Sequence, residues 1–110
     1  MNVRISARAQ HDLNSLFAYI DFHRGPEAAT RFLHSAKEAA SFVGSNPFAG
    51  PHPRCATKHG EIRFWVITRS NYLIFYFVDE TGVSIERVLD GRRDVARILE
   101  SGAEEPSDET

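Results

Sequence analysis

His52, Cys55 and His59 stand in the spacing His-x-x-Cys-x-x-x-His, which a metal could use, and His23 or His34 could supply a fourth ligand. The stretch has one thiol and lacks the paired Cys or His-x-Glu contexts of established zinc spacings, so no metal site is expected. Cys55 is no better placed as a nucleophile, because no spacing supplies the base and orienting partner a thiolate needs. The chain also lacks a phosphate-cradling glycine loop, a Gly-x-Ser-x-Gly turn and any pair of carboxylates at a readable geometry, and no cofactor is implied.

What remains is arginine, which makes up eleven of the thirteen cationic side chains. Its planar fork pairs with carboxylate or phosphate in two-point fashion. Arg63, Arg69, Arg87, Arg92, Arg93 and Arg97 fall in the second half of the chain, with Lys58 upstream. Arg63 and Arg87 are expected to project from two strands to a common face, with Arg92 and Arg93 immediately after, a cluster that could grip phosphates. Interleaved Glu61, Glu86, Asp90 and Asp94 offer the opposing reading, in which the cations are neutralised pairwise. Trp65, Tyr72 and Tyr76 read as core or sheet-face aromatics, since no spacing of the RNA-stacking kind is present.

The chain has 110 residues and a net charge of −2. Glu104, Glu105, Asp108 and Glu109 crowd the last ten residues, and setting them aside leaves residues 1–100 at +2. That balance excludes a histone-like electrostatic binder and leaves room only for a local basic patch; direct nucleic-acid binding is not expected. A single Cys excludes an internal disulfide, and Met1 to Ile5 lacks a signal peptide's apolar stretch, which points to the cytoplasm. The longest apolar run, Tyr72 to Val78, is far short of the ~20 residues a membrane span needs.

These residues must be carried by a few short elements. Val3 and Ile5 alternate as a strand, and Ser6 is a good helix N-cap. Ala9, Leu13, Leu16, Phe17 and Ile20 line one face of a helix over about 7–23. Gly25-Pro26 breaks that helix and starts a second, in which Ala29, Phe32, Leu33, Ala36, Ala40 and Val43 repeat the pattern as far as Gly44. The two helices make an antiparallel hairpin. Residues 45–59 have no period and read as a loop. Three strands follow: one around Ile62 to Ile67, a two-sided apolar spine at 71–78, and one from Val83 to Leu89 after the turn Asp79-Glu80-Thr81-Gly82. Val95, Ile98 and Leu99 suit one short inward-facing helix before an acidic tail, residues 101–110, that cannot fold alone. The expectation is one α+β domain over 1–100, β-αα-βββ-(α), an antiparallel sheet with the hairpin on one face. A sheet with edges beneath Phe-rich helices also leaves a groove for a partner peptide, although Phe17, Phe32 and Phe64 serve equally well as core.

Five blocks resemble, in order, those of the ParE toxins within the RelE/ParE superfamily, over about residues 3–98. They are Ser6 to Leu13 leading to Tyr19-Ile20, Ala28 to Phe32, Asn46-Pro47-Phe48-Ala49-Gly50, Tyr72-Leu73-Ile74-Phe75-Tyr76, and Arg87 to Asp94. The resemblance implies the toxin half of a type II toxin–antitoxin system of the plasmid-stabilisation kind. Its partner would be a ParD-like antitoxin whose C-terminal segment wraps the toxin, and its target DNA gyrase or another topoisomerase. RelE-like members are instead ribosome-dependent mRNA endonucleases; on that alternative the candidate residues are Arg63, Arg87, Arg92 and Arg93. Arginine alone does not supply the base that the 2′-hydroxyl requires. Tyr72-Leu73 replaces the usual Tyr-Arg, and Asp94-Val95 stands where RelE carries its C-terminal Tyr, so both departures favour the ParE side. Asp90 replaces the His common before Gly-Arg-Arg-Asp in ParE sequences. On the ParE reading no catalytic residue is implied, and Arg87, Arg92, Arg93 and Arg97 are the candidates for target binding.

Overall fold

The computed structural model describes residues 2–53 and 61–101. Cys55, Lys58, His59 and the acidic residues of 102–110 lie outside the described residues. A strand Asn2–Ile5 (β1) leads into helices Ala7–Arg24 (α1) and Pro26–Ser45 (α2), then strands Arg63–Val66 (β2), Tyr72–Asp79 (β3) and Gly82–Asp90 (β4), and helix Val95–Ser101 (α3). The order expected from the sequence is thus observed, with α1 ending one residue later than periodicity suggests.

Ser6 makes the first junction. Its amide donates to the Ile85 carbonyl at 2.9 Å, holding it to the sheet, while its hydroxyl accepts from the Ala9 amide at 3.0 Å and so caps α1. Gly25, at φ 94°, reverses the chain, and Pro26 opens α2 where its missing amide proton costs nothing. Buried Ala28, Ala29, Ala36 and Ala39 let α2 approach its neighbours closely.

The sheet order is β1-β4-β3-β2. β2, β3 and β4 form the antiparallel meander anticipated above, but β1 runs parallel to β4, so the sheet is mixed. The expectation of a wholly antiparallel sheet is corrected here. No tight turn joins β1 to β4; both helices and two strands intervene, so no hairpin geometry dictates their relative direction.

Both faces of the sheet are covered. Tyr72, Ile74 and Tyr76 of β3, with Val83, Ile85 and Val88 of β4, pack against Ala9, Ile20, Phe32, Ala36 and Val43 of the hairpin. On the other face Ile62, Phe75 and Leu89 pack with Ile98 and Leu99 of α3. The spacing of Val83, Ile85 and Val88 is odd, and a regular strand would send Val88 to the wrong face. The register shifts between Phe75, opposite Arg87, and Tyr76, opposite Ile85, leaving Glu86 as a β-bulge. That extra residue brings Val88 back to the hairpin side.

Candidate functional site

The same bulge decides where the arginines go. Arg63 lies opposite Tyr76, and Arg87 lies opposite Phe75. Neighbours on a strand point to opposite faces, so Arg63 and Arg87 do not share a face as the sequence suggested. Without the Glu86 bulge Arg87 would stand opposite Ile74, on the face of Arg63; one inserted residue sends it to the other side.

Arg87 is buried, and its Nε and a terminal nitrogen donate to the Asp12 carboxylate at 2.8 and 3.0 Å. Asp12 also accepts from the Val88 amide at 2.9 Å. β1 ends at Ile5, so beyond Ile85 the β4 edge has no strand beside it, and the α1 carboxylate takes over as acceptor. Arg87 is thereby buried and paired with α1 rather than presented at the surface. Arg63 donates to the Gly50 carbonyl at 2.7 Å and to that of Phe48 at 3.3 Å, with its guanidinium 5.2 Å from the Phe48 ring centre. Tyr76 completes that anchor: its hydroxyl donates to the Pro47 carbonyl at 2.9 Å and accepts from the Gly50 amide at 3.0 Å. Burial, opposed by this amide and by Arg63, pushes the Tyr76 hydroxyl above its usual range. A side chain at Gly50 would collide with the Tyr76 hydroxyl and the Phe64 carbonyl, which explains the glycine that ends the Asn46–Gly50 block.

Beyond β4 the arginines reach the surface. Arg92 clasps Asp90 through Nε at 3.0 Å and a terminal nitrogen at 2.7 Å, holding the Asp90 carboxyl below the usual carboxylate range. Arg97 lies 3.5 Å from Asp94, with both side chains exposed. Arg93 is exposed and, among the described residues, makes no side-chain ion pair; its backbone is held, the amide donating to the Asp90 carbonyl at 3.1 Å and the carbonyl accepting from the Val95 amide at 2.8 Å. Pairwise neutralisation therefore describes Arg87, Arg92 and Arg97, while Arg93 presents its charge outward. The order of charges in the sequence did not distinguish these cases, because the bulge and the Asp12 contact set Arg87 apart, and the Asp90 and Asp94 pairs select Arg92 and Arg97 over Arg93.

The surface also carries apolar groups at one edge. Trp65 of β2 is half-buried and stacked on Phe42 of α2, with ring centres 4.6 Å apart and planes at 19°. Phe42 is exposed, as are Phe48, by Arg63, and Val66, which lies opposite Leu73 on the other face of β2. Of the aromatics weighed from the sequence, Phe17 and Phe64 are half-buried against the two cores and Phe32 is core. Of the residues weighed for a metal, Cys55 and His59 lie outside the described residues, the His52 Nδ1 donates to the Ile62 carbonyl at 2.9 Å, and among the described residues no three His, Cys, Asp or Glu side chains gather. His34 instead faces Glu38 at 3.1 Å, and His23 packs on Tyr19 and Phe22.

Residues 3–95 match the family model of the ParE toxin of type II toxin-antitoxin system, parDE. The chain belongs to this family. A solved structure described as the chromosomal ParDE TA system from P. aeruginosa shares the fold of this ParE-family chain, with a TM-score of 0.68 at 19% identity, covering 80% of this chain and 92% of that one. No curated protein sequence matches it. The five sequence blocks thus mark positions with definite structural duties: the Ser6 cap and Asp12 acceptor, the close-packed alanines of α2, the Tyr76-bound loop, the spine of the sheet, and the Arg87 anchor with its exposed arginine extension.

Proposed function

We propose that this ParE-family toxin acts by binding DNA gyrase or another topoisomerase in the cytoplasm and is neutralised by a ParD-like antitoxin. Family membership over residues 3–95 carries the reading. The dispersal of the arginines supports binding over RNA cleavage: Arg63 and Arg87 point from opposite faces and Arg87 is spent on Asp12. The target-facing charge is then Arg93, with Arg92 and Arg97 held nearby by Asp90 and Asp94. Phe42, exposed and stacked on Trp65 on one face of β2, and exposed Val66 on the other face of the same edge strand suit an amphipathic antitoxin segment that covers this edge, and the P. aeruginosa structure is of a toxin–antitoxin system.

A supercoiling assay with purified gyrase and antitoxin-free protein tests the target. Inhibition or accumulated cleavage complexes are expected. Codon-positioned cuts in cellular mRNA, appearing before any DNA-damage response, would replace this reading with that of an endonuclease.

A further inference from the structure

Where the α1–α2 turn meets the β2–β3 turn, the molecule has a cleft of about 610 Å³ that the toxin reading does not use. Three guanidiniums reach it from three elements: Arg24 from the last turn of α1, Arg31 from α2, and Arg69 from the β2–β3 turn. All three residues are exposed, and among the described residues none is in an ion pair. This sets them apart from Arg4, Arg87, Arg92 and Arg97, each of which has an aspartate. The one carboxylate on the lining, Glu38, faces His34 at 3.1 Å. Arg69 has φ 62°, a left-handed conformation unfavourable for a residue with a side chain, in a turn where Gly would fit without strain.

We propose that this cleft binds the phosphodiester backbone of a nucleic-acid strand, with Arg24, Arg31 and Arg69 each engaging a phosphate. A single small anion would call for buried, converging donors, whereas these cations are exposed on separate walls. An amphipathic peptide would need an apolar anchor point, but the aromatic floor, Phe32 and Tyr72, is buried. Among the groups the lining offers to solvent are the three arginines and the hydroxyls of Thr30 and Thr68, the donor types that contact phosphate oxygens, and exposed Glu38 is the one opposing charge. The low net charge of the whole chain concealed this, because the three residues are scattered through the sequence and only the fold gathers them.

Fluorescence anisotropy with the full chain and a short fluorescein-labelled oligonucleotide tests the proposal, using single-stranded DNA, its duplex, and RNA of the same sequence in separate arms. Weak, salt-dependent binding is expected in at least one arm. Three phosphate contacts predict a slope of log affinity on log salt of about −2.7 for duplex or about −2.1 for a single strand, and the arm that binds tightest identifies the source. Arg24→Gln with Arg31→Gln and Arg69→Gln should lower affinity at least tenfold, whereas Arg4→Gln with Arg8→Gln, outside the cleft, should leave most of it. Arg69→Gly relieves the turn, so it should weaken binding several-fold while melting no lower than the parent, which separates lost contact from lost fold. Absence of binding in every arm at low salt overturns the proposal, as does equal loss in the two multiple variants. No topoisomerase or antitoxin is present in the measurement, so its failure leaves the toxin reading standing.

Discussion

At the level of single residues, the contrast between Arg87 and Arg92 separates structure from surface. The Arg87 and Asp12 side chains are 8% and 11% exposed, and the same carboxylate serves the Val88 amide. Asp12→Ala therefore strands a buried cation and a buried donor together, a loss of about 3 kcal/mol or more. For a domain of this size the melting temperature should fall by more than ~10 °C, and Asp12→Asn, which keeps an acceptor, should fall less. An Asp12→Ala protein that melts within a degree or two of the parent would show that the pair contributes nothing. Arg92 is 67% exposed, so releasing Asp90 there costs little stability. Arg93→Ala should reduce toxicity with an unchanged melting curve, and Arg92→Ala with Arg93→Ala should reduce it further at that small cost in stability. Full toxicity of the double variant with unaltered melting would move the target-binding surface elsewhere.

At the level of elements, β1 is a four-residue strand whose place depends on one glycine. Gly82 has φ 140° and lies opposite Asn2, whose carbonyl would collide with any side chain there. Gly82→Ala should thus cost about 1–3 kcal/mol and shift the urea midpoint accordingly, with amide protection lost first along β1. Uniform protection and an unshifted midpoint would mean that β1 pairs without needing this close approach. The sequence made most of the elements legible: Ser6 as cap, Gly25-Pro26 as reversal, and the two-sided apolar run at 72–78 as spine all follow from local chemistry. It left two facts hidden, because both are relations between distant segments. Nothing within Asn2–Ile5 states its direction relative to β4, and the bulge at Glu86 appears only as an odd gap between Ile85 and Val88, which a strand reading skips. Missing that bulge is what put Arg87 on the face of Arg63. Arg24 and Arg31 were invisible as a site for the same reason, since helix periodicity says only that they face away from the core.

At the level of the whole molecule, ionisable groups fix the pH range of stability. Asp79, hydrogen-bonded by Thr81 and near Arg4, and Asp90, clasped by Arg92, both have carboxyls held below the usual range. Their contribution is present above the unfolded value of about 3.9 and is lost as pH falls through the lower folded values. Tyr72 and Tyr76 are pushed up by burial, so what they contribute is complete below about pH 10 and disappears as pH rises through the raised folded values. Melting temperature measured against pH should show loss below about pH 4 and again above about pH 10. Tyr76→Phe should lessen the alkaline loss while lowering stability at neutral pH, because the bonds to Pro47 and Gly50 go with the hydroxyl. An alkaline limb identical in Tyr76→Phe would assign that loss to other groups.

The molecule's only tryptophan sits where the proposed antitoxin would land, which makes association directly observable. Trp65 is half-buried, covered on one side by Phe42, and bordered by exposed Val66. An amphipathic segment laid over Trp65 removes water from the indole, so titration with a ParD-like antitoxin that carries no tryptophan should shift tryptophan emission to shorter wavelength. Val66 is 45% exposed on the other face of the same edge strand, and Val66→Asp places a charge against a segment that covers this edge without entering either core. It should weaken association by tenfold or more, about 1.4 kcal/mol, while the free toxin melts as before. Burying an unpaired carboxylate against an apolar partner is costly enough to produce that loss. Tight co-purification of Val66→Asp with the antitoxin, together with unmoved Trp65 emission in the parent, would place the antitoxin on another surface, and exposed Tyr19 and Phe22 at the end of α1 would then be the next pair to substitute.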